Sequence, residues 1–284
     1  MKQVLIPTDF SKNAWNAISY ALEFYKNEVC IFYFLHTYTP SFYRADYIIG
    51  GPSHSAIPDV GVMISLMGLE KTLKDAREQF SNEKHSYEIL SAFNLLTDEI
   101  KKVCKKKNID IIVMGTQGAT GAKEIFLGTH TVYTIRKTKT PILIIPKNYG
   151  YKPIHTILFP TDYWSRYKEG ELKPILDLAK MQGASITVLH ATEEDPLNQK
   201  QKKNKAFLDL CLDEIPHTFE EVEQEYMPDV INRYIKDNDM DFLVMMNRKH
   251  SFFERLMFKQ NVDAIGFHCT IPFLVIRDTS KISK

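Results

Sequence analysis

The sequence lacks any long apolar run. No stretch reaches the roughly 18 consecutive apolar residues of a membrane-spanning helix, and the chain passes from Met1 directly into the strand-like Val4-Leu5-Ile6 without the apolar core of a secretory leader. Cysteine is scarce. Cys30, Cys104, Cys211 and Cys269 form no CxxC pair and no close Cys/His cluster, which argues against a disulfide framework or a zinc site and for reduced thiols. An excess of charge is missing as well. With 36 Lys and Arg against 35 Asp and Glu, no global field draws the chain to nucleic acid or to an anionic membrane. The expectation is a cytoplasmic protein with neither of those partners. Three enzyme signatures are also absent: a G-x4-G-K-(S/T) P-loop, a G-x-G-x-x-G turn after the first strand, and a G-x-S-x-G elbow.

What is present is an ordinary globular composition, 44% hydrophobic and 25% charged over 284 residues, enough for two domains with a core each. Residues 1–150 carry 18 basic and 14 acidic side chains, and residues 151–284 carry 18 and 21. An anionic ligand suits the first half slightly better.

The chain repeats itself. QVLIPTDFS (3–11) is answered by TILFPTDYWS (156–165), DIIVMGTQG (110–118) by DFLVMMNRK (241–249), and TPILIIP (140–146) by IPFLVIR (271–277). Three matches in one order, at nearly equal spacing, indicate an internal duplication. The boundary falls near the polar stretch Lys147 to Pro153, giving domains 1–148 and 149–284.

Within the first copy, short apolar runs near 3–7, 29–36, 87–93, 110–115 and 141–145 read as strands buried on both faces, hence a parallel sheet covered by helices. Ser11 to Phe24 begins on a good N-cap residue and spaces Trp15, Ile18, Ala21 and Leu22 as a helix does, while Leu95 to Lys107 places Leu96, Ile100 and Val103 on one face. The predicted fold is α/β: two tandem Rossmann-like domains, each a five-stranded, mostly parallel sheet with helices on both faces. The lysines at 101, 102, 105, 106 and 107 close a helix, where cations meet the negative end of its dipole, and read as a solvated end rather than a nucleic-acid patch.

The candidate chemistry follows the fourth strand. Gly115, Gly118 and Gly128-Thr129 are spaced G-x2-G-x9-G-T. Glycines at the C-terminal end of a buried strand let backbone approach an anion, and their amides, with those opening the helix that includes Thr129, can point at phosphate oxygens. The plainer alternative is that these glycines only shape turns.

PTDFS, GTQGATG followed by LGT, and the closing TPILIIP together resemble the universal stress protein family over essentially the whole chain, as a tandem pair. That resemblance implies ATP, with or without Mg2+, bound by the first domain only. Gly115, Gly118, Gly128 and Thr129 match the motif of the family's ATP-binding subgroup without a gap, and the implied contact set extends to Met114 and His130. On the other side it implies Pro7, Thr8 and Asp9 after the first strand and Thr37 after the second, the last departing from the family's usual Val after a His. Asp9 serves equally well as a cap for the helix starting near Ser11. In the second copy Asp162 survives, but Asn247 stands at Gly115, Lys249 or His250 at Gly118, Lys259 at Gly128 and Gln260 at Thr129.

Three functions stay open: an ATP-binding regulatory module of the stress response, a weak ATPase or phosphoryl-transfer enzyme using the same pocket, and a structural interaction protein. The family's habit of pairing last strands implies an intramolecular pseudo-dimer through Ile142–Ile145 and Phe273–Ile276, with a homodimer of chains open and protein partners unnamed. The stretch from Tyr38 to Gly61, with several aromatics and no counterpart in the second copy, is either a lid on the nucleotide or an interface segment.

Overall fold

The structure, a computed structural model, describes residues 1–38, 60–116, 129–191, 196–223, 227–248 and 269–277. The chain gathers into two compact units. Described residues up to Thr140, with Lys147–Tyr151, form the first; Pro141–Pro146 and the residues from Lys152 onward form the second.

In the first unit β1 (Lys2–Pro7), β2 (Cys30–Tyr38), β3 (His85–Phe93) and β4 (Ile111–Gly115) run parallel in the order β3-β2-β1-β4. Val4, Leu5, Ile6, Phe32, Phe34, Leu35, Ile112 and Val113 are all sealed from solvent, as strands covered on both faces require. The covering helices are α1 (Lys12–Phe24), α2 (Val60–Gln79), α3 (Leu96–Lys107) and α4 (Thr129–Lys137). From β1 the chain steps outward to β2 and β3, then returns past β1 to β4. Right-handed crossovers therefore put α1 and α2 on one face and α3 and α4 on the other. Accordingly α1 touches α2, and α3 touches α4. The reversal between β1 and β4 is the switch point whose C-terminal side forms the ligand crevice of open α/β sheets.

Local chemistry sets the helix ends. Ser11 Oγ accepts the Ala14 amide at 3.1 Å, so α1 starts where the Ser predicts, and it buries Ala14, Ala17, Ile18, Ala21 and Leu22 at helical spacing. Helix α3 stops on Asn108 in the left-handed region, at φ 50°, with Lys105, Lys106 and Lys107 in its last turn. Lys101, Lys102, Lys105 and Lys106 are exposed, and Lys107 pairs with Glu88 at 2.7 Å.

The second unit repeats the order. β6 (Thr156–Pro160), β7 (Ser185–Ala191), β8 (His217–Val222), β9 (Phe242–Asn247) and β10 (Phe273–Arg277) lie parallel as β8-β7-β6-β9-β10. Among the described residues its helices are α5 (Glu169–Gln182), α6 (Gln199–Leu212) and α7 (Met227–Asp237). The free side of β10 is taken by β5 (Ile142–Ile145), antiparallel, with Leu143 opposite Leu274 and Ile144 opposite Phe273. Along the chain β5 is the fifth strand of the first repeat; by its contacts it belongs to the second unit. Among the described residues, no helix is long and apolar enough to cross a membrane.

Candidate functional site

The turn that leaves β1 is built from the Pro-Thr-Asp signature. Thr8 Oγ1 accepts the Phe10 amide at 3.0 Å, and Asp9 Oδ1 accepts the Ser11 amide at 3.0 Å. Phe10 sits at φ 64°, a conformation a bulky residue adopts only when its surroundings hold it there. Here the Phe10 ring stacks on His36 at 4.5 Å, and a Cβ on Gly68 would lie 2.4 Å from that ring. His36 Nδ1 is 2.9 Å from the Ser65 hydroxyl, which is 2.7 Å from the Ser91 hydroxyl. Burial holds the His36 imidazole below its ordinary titration range, with the Asp9 carboxylate pulling the other way.

The second unit has the same turn. Thr161 Oγ1 accepts the Tyr163 amide at 3.2 Å, Asp162 Oδ1 accepts the Trp164 amide at 3.1 Å, Tyr163 lies at φ 53°, and its ring packs on His190 at 4.8 Å. His36 and His190 each follow the leucine paired with the turn's proline, Leu35 with Pro7 and Leu189 with Pro160. A carboxylate used identically in the copy without a glycine motif has a turn role in both. That role was open to Asp9 from the sequence, and the His-aromatic stack behind the turn was not foreseen. Its signal was the shared aromatic after each Pro-Thr-Asp and the His at matching places.

Register brings the two halves of the expected site together. Leu5 lies opposite Ile112, which carries Pro7 level with Met114 and Thr8 level with Gly115. Pro7, Thr8, Asp9, Thr37, Met114 and Gly115 therefore all lie at the C-terminal edge of one sheet. Thr8 and Met114 are buried, Thr37 is half-buried and Asp9 is exposed. At the end of β4, Thr131 Oγ1 on the first turn of α4 donates to the Gly115 carbonyl at 3.1 Å. That bond fastens the N-terminus of α4, which begins at Thr129, to the same edge; His130 beside it is exposed. Next to Gly115, Thr116 is 2% exposed, and its hydroxyl has no hydrogen-bond partner among the described residues. A buried hydroxyl without a partner beside a helix N-terminus fits an anion site. Gly118 and Gly128 lie outside the described residues, as do positions 39–59 of the Tyr38 to Gly61 stretch.

Gly115 itself has a nearer neighbour than any ligand. A Cβ there would stand 2.3 Å from Nδ2 of Asn13, on the first turn of α1. Missing from the sequence reading, Asn13 is the side chain that uses the glycine's space.

In the second unit the equivalent edge is filled. Arg248, which follows Asn247 at the end of β9, places Nη2 2.9 Å from Glu171 Oε2, and the Glu171 side chain is wholly buried. The same carboxylate oxygen accepts the Lys168 amide at 3.1 Å, capping α5. A buried ion pair thus stands at this edge, one residue beyond the positions that match Gly115 and Thr116. The strand register corrects the expected alignment: Ile157 and Leu158 lie opposite Phe242 and Leu243 as Val4 and Leu5 lie opposite Ile111 and Ile112, so Met246 rather than Asn247 matches Gly115, and Asn247 matches Thr116. Lys249, His250, Lys259 and Gln260 lie outside the described residues.

The family model described as the universal stress protein family matches residues 1–146 and again 153–277. The chain belongs to that family. Two universal stress proteins of Methanocaldococcus jannaschii resemble it: MJ0577, 27% identical over 165 residues (51% of this chain, 95% of that protein), and MJ0531, 28% identical over 148 residues (51% and 82%). A crystal structure of a universal stress protein from Archaeoglobus fulgidus matches with a TM-score of 0.69 at 17% identity, over 97% of this chain and 96% of that one. The last likeness is one of fold. For this universal stress protein the tandem organisation is thus visible in the family match as well as in the strand order.

Proposed function

We propose that this universal stress protein binds one ATP per chain, in the first repeat, and acts in the cytoplasmic stress response as a regulatory module whose nucleotide sets its conformation or its choice of partner. The observation that supports this most is the meeting, at one sheet edge, of the Pro7-Thr8-Asp9 turn, Gly115, the unpartnered Thr116 hydroxyl and the N-terminus of α4. First-turn N–H groups of a helix have no intrahelical acceptor and favour phosphate. With ATP bound, Thr116 and the opening residues of α4 would hold the phosphate side and Thr37 would flank the base. The buried Arg248–Glu171 pair supports the single stoichiometry, because it occupies the matching edge of the second unit. The pairing of β5 with β10 supports reading the two repeats as an intramolecular pseudo-dimer. Light scattering on the eluted protein decides whether two chains join further.

Calorimetry tests the nucleotide reading. One ATP per chain is expected, and Gly118→Trp should abolish it by placing an indole in the phosphate position. Two equivalent sites, or undiminished binding by the tryptophan variant, would sink the proposal. Chromatography of the bound nucleotide after prolonged incubation separates regulation from catalysis: steady conversion to ADP replaces the regulatory reading with a slow ATPase.

A further inference from the structure

A cavity of about 620 Å³ opens between α6 and the C-terminal ends of β7 and β8, wholly within the second unit. That volume is in the range that holds a small organic molecule. Neither Arg248 nor Glu171 lines it, and it lies in the repeat without a glycine cradle, so it is independent of the nucleotide site. The helix presents Lys202, Lys205, Ala206 and Asp209 to it, spaced as one face of a helix, while Phe219 and Glu221 face it from β8 as alternate strand residues.

Among the described residues the wall charges do not cancel once their partners are followed. Lys205 Nζ pairs with Glu221 at 2.8 Å and lies 5.3 Å from the centre of the Phe219 ring. Asp209 Oδ1 accepts from His217 Nε2 at 2.8 Å, and His217 Nδ1 donates to the Ile215 carbonyl at 2.8 Å. With an acceptor facing each ring nitrogen, the two bonds favour the protonated form of His217. Burial opposes that charge, but the bonds to Asp209 and to the carbonyl outweigh it and raise the group's pKa. Both carboxylates are therefore already engaged within the protein, Glu221 by Lys205 and Asp209 by His217. Lys202, exposed on the same helix face, has no ion-pair partner among the described residues.

A second unspent group is His190. Its Nδ1 is 2.8 Å from the Thr161 carbonyl, which can only accept, so the neutral ring carries its proton on Nδ1 and keeps a lone pair on Nε2. Among the described residues nothing bonds that nitrogen. The Tyr163 ring packed against His190 at 4.8 Å is fully buried and holds the imidazole in place. A ring nitrogen with an open lone pair on the wall of a cavity is a place for a ligand donor or a water.

We propose that this cavity binds a small aromatic carboxylate, with its ring beside Phe219, its carboxylate on Lys202 and a hydrogen-bond donor on His190 Nε2. The second repeat is then a sensor of an organic anion rather than a remnant of a nucleotide site.

Para-hydroxyphenylacetate and tyramine share one phenol ring and differ in the sign of their charge, which makes them a matched pair of probes. Titrated into the full-length protein and followed by amide chemical shifts, the acid binds saturably, with shifts centred on α6 and β8, and the amine does not. Lys202→Ala weakens the acid about three- to fivefold, the value of one exposed ion pair. Lys202→Glu reverses the preference between the probes, and because Lys202 is exposed, neither variant alters the melting temperature. Gly118→Trp leaves the acid's affinity unchanged while removing ATP. No saturable binding of the acid at millimolar concentration, a preference for tyramine in the wild type, or equal acid affinity in Lys202→Glu overturns the proposal.

Discussion

A methyl group added at Gly115 would test why a glycine ends β4. It would stand 2.3 Å from Asn13 Nδ2, 3.0 Å from Asn13 Cγ and 3.2 Å from the Asn13 backbone oxygen. All three fall inside the about 3.5 Å at which unbonded atoms meet favourably. The carboxamide could swing away, but Asn13 is buried, and its backbone oxygen moves only if the first turn of α1, pinned by the Ser11 cap, moves with it. Overpacking of this kind costs about 1–3 kcal/mol, and Gly115→Ala should fall in that range. Urea denaturation of Gly115→Ala, Asn13→Ala and the double variant gives the cycle. The double variant should be more stable than the sum of the singles predicts, by about 1–2 kcal/mol, because the crowded amide is gone. A cost below about 0.5 kcal/mol for Gly115→Ala, or strict additivity, would refute the reasoning. Titrating ATP against the double variant then separates space from contact: if the glycine serves only to admit Asn13, ATP binding survives.

Other consequences follow from single groups. His36 is depressed below its unfolded value of 6.5, so its contribution to stability is complete above that pH and is lost as pH falls through the folded pKa. The wild-type urea midpoint should therefore drop more steeply than that of His36→Gln between about pH 7 and about pH 5, and equal slopes would count against burial as the cause. Arg248→Met strands the buried Glu171 charge and should cost about 3–5 kcal/mol in unfolding free energy, most of it recovered when Glu171→Leu is added. A neutral single variant would mean that the pair is solvated. Ile144→Ala, opposite Phe273, should cost about 2–5 kcal/mol. In hydrogen exchange it should unprotect β10 before β1, and the reverse order would show that β5 belongs energetically to the first unit.

Much of the architecture was legible because it rests on periodicity and on short-range chemistry. Apolar runs at Val4–Ile6 and Ile111–Met114 can be nothing but covered strands, Ser11 is a cap in any context, and three matched segments in order declare a duplication without reference to space. The glycine spacing after β4 was likewise a local pattern. What only the tertiary structure decided concerns distances between residues far apart in the chain. Asn13 meets Gly115 because α1 crosses β4, and nothing in either segment announces the other. Arg248 reaches Glu171 across 77 positions and fills one repeat's crevice with a charge pair, an outcome that sequence alignment could register only as missing glycines. For β5 the family resemblance already implied a pairing with the last strand of the second repeat, and the structure added its antiparallel register, Leu143 opposite Leu274 and Ile144 opposite Phe273. Strand pairing is settled by which backbone edge is open and which apolar face needs cover, and both are properties of the assembled sheet rather than of the segment.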